Sequence, residues 1–253
     1  MFSKSLFKKT LKDNYMLWAG VTAALTLMLV MLLVIANSIA NSPNGGRGGG
    51  MGISMVLEQF YTMFGVLLPM IYIIITGNKL IAAQIDKGSM AALMSRPIKR
   101  NQVSVTQAVY LIGSIIAMFA VITAAGLAII GATGLDIAFG SFLLLNLGIV
   151  LFLLAISGIS YLASCIFNLS GKSLLVGAGL PILFFVFNML AGFSGLADFM
   201  KLFKYLTINS FYNFSDIMAR STNLIWQFLI LFGIGAGCYA AGIMHFKKKD
   251  LPL

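Results

Sequence analysis

Residues 137–171 read IAFGSFLLLNLGIVLFLLAISGISYLASCIFNLSG, a run of 35 residues without one charged side chain. An α-helix rises about 1.5 Å per residue, so roughly 20 apolar residues cross the hydrocarbon core of a bilayer. The run is long enough for one crossing and too short for two crossings and a turn. Leu143 to Leu154 shows no period-two alternation, which excludes a strand of a transmembrane barrel. Five more charge-free runs flank it, at residues 14–46, 59–78, 101–135, 173–197 and 221–246. Each reads as one helix. The sequence therefore predicts an all-α membrane protein forming one transmembrane domain over 1–253, with six spans at about 15–40, 58–83, 104–131, 138–167, 173–197 and 221–245.

The whole composition agrees. Of 253 residues, 60% are hydrophobic and 9% charged, against about 25% charged in an average soluble domain. Seventeen basic and seven acidic side chains cannot clothe a soluble protein of this size, and the apolar content excludes a disordered chain. Thirteen of the basic residues fall on one side of the six spans: Lys4, Lys8, Lys9, Lys12, Lys79, Lys87, Arg96, Lys99, Arg100, Lys172, Lys247, Lys248 and Lys249. Four fall on the other: Arg47, Lys201, Lys204 and Arg220. The excess of positive charge predicts that both termini are cytoplasmic. The net charge of +10 then reads as topology and contact with anionic membrane lipids, with no soluble domain to hold nucleic acid. Cys165 and Cys238 fall inside spans and read as small buried hydrophobes. The basic start followed by a long apolar stretch reads as an uncleaved first span, since a secretory signal has an apolar core of only about 7–15 residues.

Between the spans, residues 1–13 project Phe2, Leu6, Phe7 and Leu11 onto one half of a helix and Lys4, Lys8, Lys9 and Lys12 onto the other. That pattern predicts an interfacial helix on the inner leaflet. Residues 42–50 are glycine-rich but lack the Gly-Lys-Ser/Thr ending of a phosphate loop, and read as a flexible external linker. Pro69 and Pro181 fall inside spans and are expected to kink them. Residues 84–100 form the longest cytoplasmic segment, with Ile85, Met90, Leu93 and Met94 as an apolar stripe between Gly88 and Pro97. A short helix parallel to the membrane, exposed to a cytoplasmic partner, fits. Residues 198–220 are too apolar for a free external loop and read as one or two short helices re-entering the outer interface. The connection from Asn168 to Lys172 is only a tight turn.

The chemistry available inside the spans is thin. Every Asp and Glu falls at or outside a span boundary, and the single histidine, His245, is at the end of the last span. Ion-coupled transport usually needs an ionisable group in the membrane, and intramembrane hydrolysis needs a nucleophile with a base or paired metal ligands. The sequence therefore reads as non-enzymatic, with no metal site and no cofactor bound by this chain. Asn37, Asn78, Gln107, Asn146 and Asn188 remain, with many hydroxyls, and two roles are open for them: hydrogen-bonded helix contacts, or a polar translocation surface. Asn37, Pro69, Asn78, Pro181 and Asn188 are the candidates for a substrate path. Gly233 and Gly237, followed by Gly242, give a spacing that favours close packing of the last span. Movement of cargo through such spans requires energy from elsewhere, and residues 84–100 are the receiving point for an ATPase subunit.

The run from Gln84 to Arg100, QIDKGSMAALMSRPIKR, resembles the signature of ABC-2-type transporter permeases: acidic–x–Gly–Thr/Ser–apolar, then Leu-Leu-Ser and Pro-x-x-Arg. Phe203 to Thr207 and the tail from Phe246 to Leu253 are similar to family segments, and six short-looped spans extend the likeness over the chain. The resemblance implies that Gly88 to Pro97 is a coupling helix seated on a nucleotide-binding subunit. It carries roles onto Asp86, Gly88, Ser89, Leu93, Ser95, Pro97 and Arg100, with Lys87, Met94 and Arg96 in the same segment. Gln84 stands where family members often have glutamate, so the likeness does not extend to an ion pair there. It further implies two permease copies, expected to be identical, and two separate ATPase subunits that hold ATP and magnesium. The setting expected is a bacterial cytoplasmic membrane. Among family members the likeness is to small peptide-export permeases, with cargo of the phenol-soluble modulin or bacteriocin type. Lipid, glycan or drug export, a secondary carrier and a peptide-sequestering immunity protein are the alternatives.

Overall fold

The computed structural model describes residues 2–40, 49–90, 100–135, 137–192, 207–219 and 223–249. Among them are six helices long and apolar enough to cross a membrane, and no strand. The first, α1 (Lys4–Ala40), is one continuous helix of 37 residues, about 55 Å long. No break separates the basic N-terminal stretch from the first span. Nothing between Lys4 and Ala40 would make one, since the stretch has no proline and only Gly20. Its first turns still segregate as the pattern requires, with Leu6, Thr10 and Asn14 buried and Lys8, Lys9 and Lys12 exposed.

The second span is built in pieces. Helix α2 (Gly49–Gln59) leads into a single wide π turn (Phe60–Phe64), then α3 (Gly65–Leu80) and the short α4 (Ala82–Asp86). The Gly65 N–H reaches back five residues to the Phe60 carbonyl, which is the mark of a π turn. It sits one turn before Pro69, whose missing N–H and ring already loosen the ladder at Gly65. Ile81, at φ −132° and ψ −66°, separates α3 from α4. Helix α2 starts at Gly49, so the last two glycines expected in the external linker are helical, while residues 41–48 lie outside the described set.

The third span is α5 (Arg100–Thr133), beside an expected 104–131, and the fourth is α6 (Phe139–Ile166), beside an expected 138–167. Helix α7 (Ser170–Gly192) runs on through Pro181, and α9 (Leu224–Lys248) is the sixth span. Between the last two, a 3₁₀ turn (Ile208–Phe211) and α8 (Phe214–Met218) form the described part of the segment expected at 198–220. Asn213 caps α8 by accepting the Ser215 N–H. This segment turns inward: Tyr212 stacks on Phe152 at 5.4 Å, and Phe214 and Ile217 are buried.

Helix α6 is the hub, packing against α3, α5, α7, α8 and α9. Lipid chains are as apolar as leucine, so close approach of backbones has to supply much of the cohesion in such a bundle. Gly158 of α6 faces Gly235 of α9, where an added Cβ would come within 3.0 Å of the Gly235 carbonyl. Gly242 lies against the Tyr161 ring in the same way. The spacing of Gly233 and Gly237 points to the wrong pair, because both face open space and Gly235 makes the contact. The register is decided by which glycine meets α6, which a one-helix pattern does not contain.

Candidate functional site

Helix α4 ends in a turn whose sequence dictates its shape. Gly88 takes φ +68°, a left-handed conformation that costs a residue with a Cβ roughly 1–2 kcal/mol. Its N–H bonds the Ile85 carbonyl at 3.0 Å, and the Ser89 hydroxyl donates to the Gln84 carbonyl at 3.1 Å. Ile85 and Met90 on either side are buried in an apolar cluster with Leu6, Leu80, Ile81, Val103 and Phe246. Asp86, Lys87, Gly88 and Ser89 are left exposed. The segment is thus pinned at both shoulders and presents its crest to solvent.

Two side chains attach it to the start of α7. The Ser170 N–H donates to Asp86 Oδ2 at 3.2 Å, and Asn78 Nδ2 donates to the Ser170 hydroxyl at 2.7 Å. Ser170 is in the first turn of α7, where backbone N–H groups have no helical partner and the helix dipole favours a carboxylate. Asp86 supplies that carboxylate from another element. Deeper in the bundle, Ser164 donates to the Gly77 carbonyl at 2.9 Å and shares a bond with Ser173 at 3.1 Å. Ser160 donates to the Gly177 carbonyl. A seam of small residues and hydroxyls therefore joins α3, α6 and α7 below the attachment.

The other helices converge on the same end. Lys79 donates to the Asp13 carbonyl at 2.9 Å, which fixes α3 to α1. Arg100 donates to the Lys249 carbonyl at 3.1 Å, and Lys249 donates to the Cys165 carbonyl at 2.9 Å. Burial lowers the pKa of the Lys249 ammonium. Between α1 and α4 lies a cleft of about 240 Å³, lined by Lys9, Thr10 and Asp13 on one side and by Gln84, Lys87 and Ser89 on the other.

Asp86, Lys87, Gly88, Ser89 and Arg100 lie at one end of the bundle. Leu93, Met94, Ser95, Arg96 and Pro97 lie outside the described residues. The five residues of the expected substrate path do not come together in one place. Asn78 belongs to the Ser170 attachment, Pro69 is buried within α3 and Pro181 within α7. Asn188 lies on α7 about 27 Å beyond Ser170, and Asn37 lies near the distant end of α1.

Tyrosines, and not only the amides singled out in the sequence, make the polar contacts inside the bundle. Tyr61 accepts from Asn146 Nδ2 at 2.8 Å, and Tyr239 pairs with Ser157 at 2.7 Å. Tyr161 pairs with Ser104 at 2.6 Å, and Tyr72 with Tyr110 at 3.4 Å. All these tyrosines are buried. The available signal was their position inside charge-free runs, where a phenol needs a partner. Among the described residues, no group of His, Cys, Asp or Glu could hold a metal ion. The tyrosine, serine and amide contacts bind elements to one another.

Fold and site together define a multi-pass helical membrane protein with neutral spans and a braced, exposed turn at one end. The family described as ABC-2 family transporter protein matches residues 48–251, and the chain belongs to that family. It is accordingly a membrane subunit of an ABC transporter, a family whose members work with an ATP-binding partner. No curated protein gives a significant match to the chain.

Proposed function

We propose that the chain is the permease of an ATP-driven exporter that moves amphipathic or hydrophobic peptides out of the cell, taking them from the inner leaflet. Two copies pair with two ATPase subunits, which bind ATP and magnesium, and residues 86–97 receive the ATPase stroke. One observation carries the reading: Asp86, at the base of the exposed turn, and Asn78, near the end of α3, both bond Ser170 at the start of α7. A push on Lys87 to Ser89 then moves α3 and the fifth span together. Spans free of charged side chains support an apolar or amphipathic cargo, because a strongly charged cargo would need compensating groups along the path. Cargo and direction also rest on the likeness of the segment from Gln84 to Arg100 to peptide exporters.

The test is ATP turnover by the permease purified with its ATPase and reconstituted in vesicles. Leu93→Asp with Met94→Asp is expected to abolish complex assembly and the turnover that depends on it. Intact assembly and turnover in that variant would refute the coupling assignment. For cargo, the probe is a fluorescent amphipathic helical peptide. ATP-dependent accumulation inside inverted vesicles supports export, and accumulation that persists with a hydrolysis-dead ATPase contradicts it.

A further inference from the structure

On a different face of α1 from the cleft beside α4, α1 and α5 enclose a lateral groove of about 320 Å³ lined by Phe7, Leu11, Tyr15, Trp18, Tyr110 and Gly113, among others. Its floor is open because Gly113 has no side chain, and a Cβ there would meet nothing within 4 Å. Its aromatic walls are held in place: the Trp18 indole N–H donates to the Ser114 carbonyl at 2.9 Å, and Phe7 meets the buried Tyr110 edge-on at 5.9 Å. Along Leu11 and Tyr15 the groove opens into a shallower recess lined by Lys8, Lys9 and Lys12. On the helical projection Lys4, Lys8 and Lys12 fall beside Leu11 and Tyr15, while Asp13 falls on the other flank, toward Lys79.

We propose that this groove is a binding site for one anionic phospholipid, with an acyl chain between α1 and α5 and the phosphate among Lys8 and Lys12. The spacing suits that ligand. Lys12 is about 9 Å along the helix from Trp18, the separation of a phosphate from the upper acyl chain. Tyr15 and Trp18 occupy the boundary layer between them, where amphipathic rings reside. The charge is complementary to phosphatidylglycerol, and a zwitterionic lipid gains less from the lysines. A bound lipid of this kind would set how firmly the first span rests against the third.

The chain contains two tryptophans, so Trp226→Phe leaves Trp18 as the only reporter. The full chain is reconstituted with brominated phosphatidylglycerol or brominated phosphatidylcholine at equal mole fraction, and the quenching of Trp18 is compared. Brominated phosphatidylglycerol is expected to quench about threefold more strongly, a preference that Lys8→Gln with Lys12→Gln removes and Lys8→Arg keeps. Gly113→Leu, which fills the floor, lowers quenching by both lipids. Lys247→Gln with Lys248→Gln removes as much charge elsewhere and is expected to leave the preference unchanged. Equal quenching by the two lipids overturns the proposal, as does a preference reduced equally by the Lys247 and Lys248 changes. Protection of Trp18 by an added amphipathic peptide, with no lipid preference, would assign the groove to cargo instead. The assay needs neither ATPase nor transport, so its failure is distinct from failure of the export reading.

Discussion

Ser170 is the residue that ties the exposed turn to α7, since its backbone and its hydroxyl are engaged by two different side chains of the second span's end. Hydrogen bonds of this kind inside membrane proteins average about 0.6 kcal/mol, so each partner is a modest tether and the pair sets position more than stability. Asp86→Asn keeps an acceptor but loses the favourable charge at the helix start. It is expected to leave thermal stability in detergent within about 1 kcal/mol of the parent. Asp86→Asn combined with Asn78→Leu is expected to lower the ATP turnover that the permease stimulates in its partner. Unchanged stimulation would remove Ser170 from the coupling route. Close packing gives a second residue-level expectation. Gly235→Leu forces a side chain against the Leu154 carbonyl, where even a Cβ would come within 3.2 Å. Overpacking of this kind costs roughly 1–3 kcal/mol, seen as a lower melting temperature, whereas Gly233→Leu faces open space and is expected to melt like the parent. Equal losses for the two would contradict the assigned register.

At the scale of elements, the second span differs most from a plain helix, with its π turn before Pro69 and its break at Ile81. The left-handed turn at Gly88 completes it. Gly88→Ala introduces a strain of roughly 1–2 kcal/mol into that turn without a clash, since nothing lies within 4 Å. The variant is expected to insert and fold but to bind the ATPase more weakly in pull-down, and undiminished binding would show that the turn's shape is immaterial to the partner. Spans without breakers were legible in the sequence: α6 was expected at 138–167 and runs Phe139–Ile166, because Asp136 and Lys172 bracket the apolar run. The Phe60–Phe64 π turn was not legible, since FYTMF contains no breaker and the cause lies one turn later. Nor was the role of Ser170, which reads as part of a tight turn until Asn78 and Asp86 are seen across from it. The N-terminal amphipathic pattern was read correctly as a pattern. What its apolar half meets was not legible, since Leu6 and Thr10 pack into the bundle itself.

For the whole molecule, the six spans place the start of α1 and the end of α9 at one end, held together by contacts such as Ser3 to Thr106 and Arg100 to Lys249. Basic residues concentrate there, and the charge bias predicts that this end is cytoplasmic. In a background with Cys165 and Cys238 replaced, Lys9→Cys is expected to react with a membrane-impermeant maleimide only after the inner face is exposed. Ser215→Cys is expected to react in intact cells, and the reverse pattern would invert the topology. The concerted motion proposed for the turn and the fifth span can be tested as distances between spin labels in the complex with its ATPase, with and without trapped ATP. Labels at Lys87→Cys and Leu175→Cys report the two attached elements, and one at Phe139→Cys, on the hub helix, is the reference. The Lys87–Leu175 distance is expected to stay constant within about 2 Å while both change relative to Phe139. Movement of Lys87 with Leu175 fixed to Phe139 would show that the Ser170 attachment does not transmit the ATP-driven stroke.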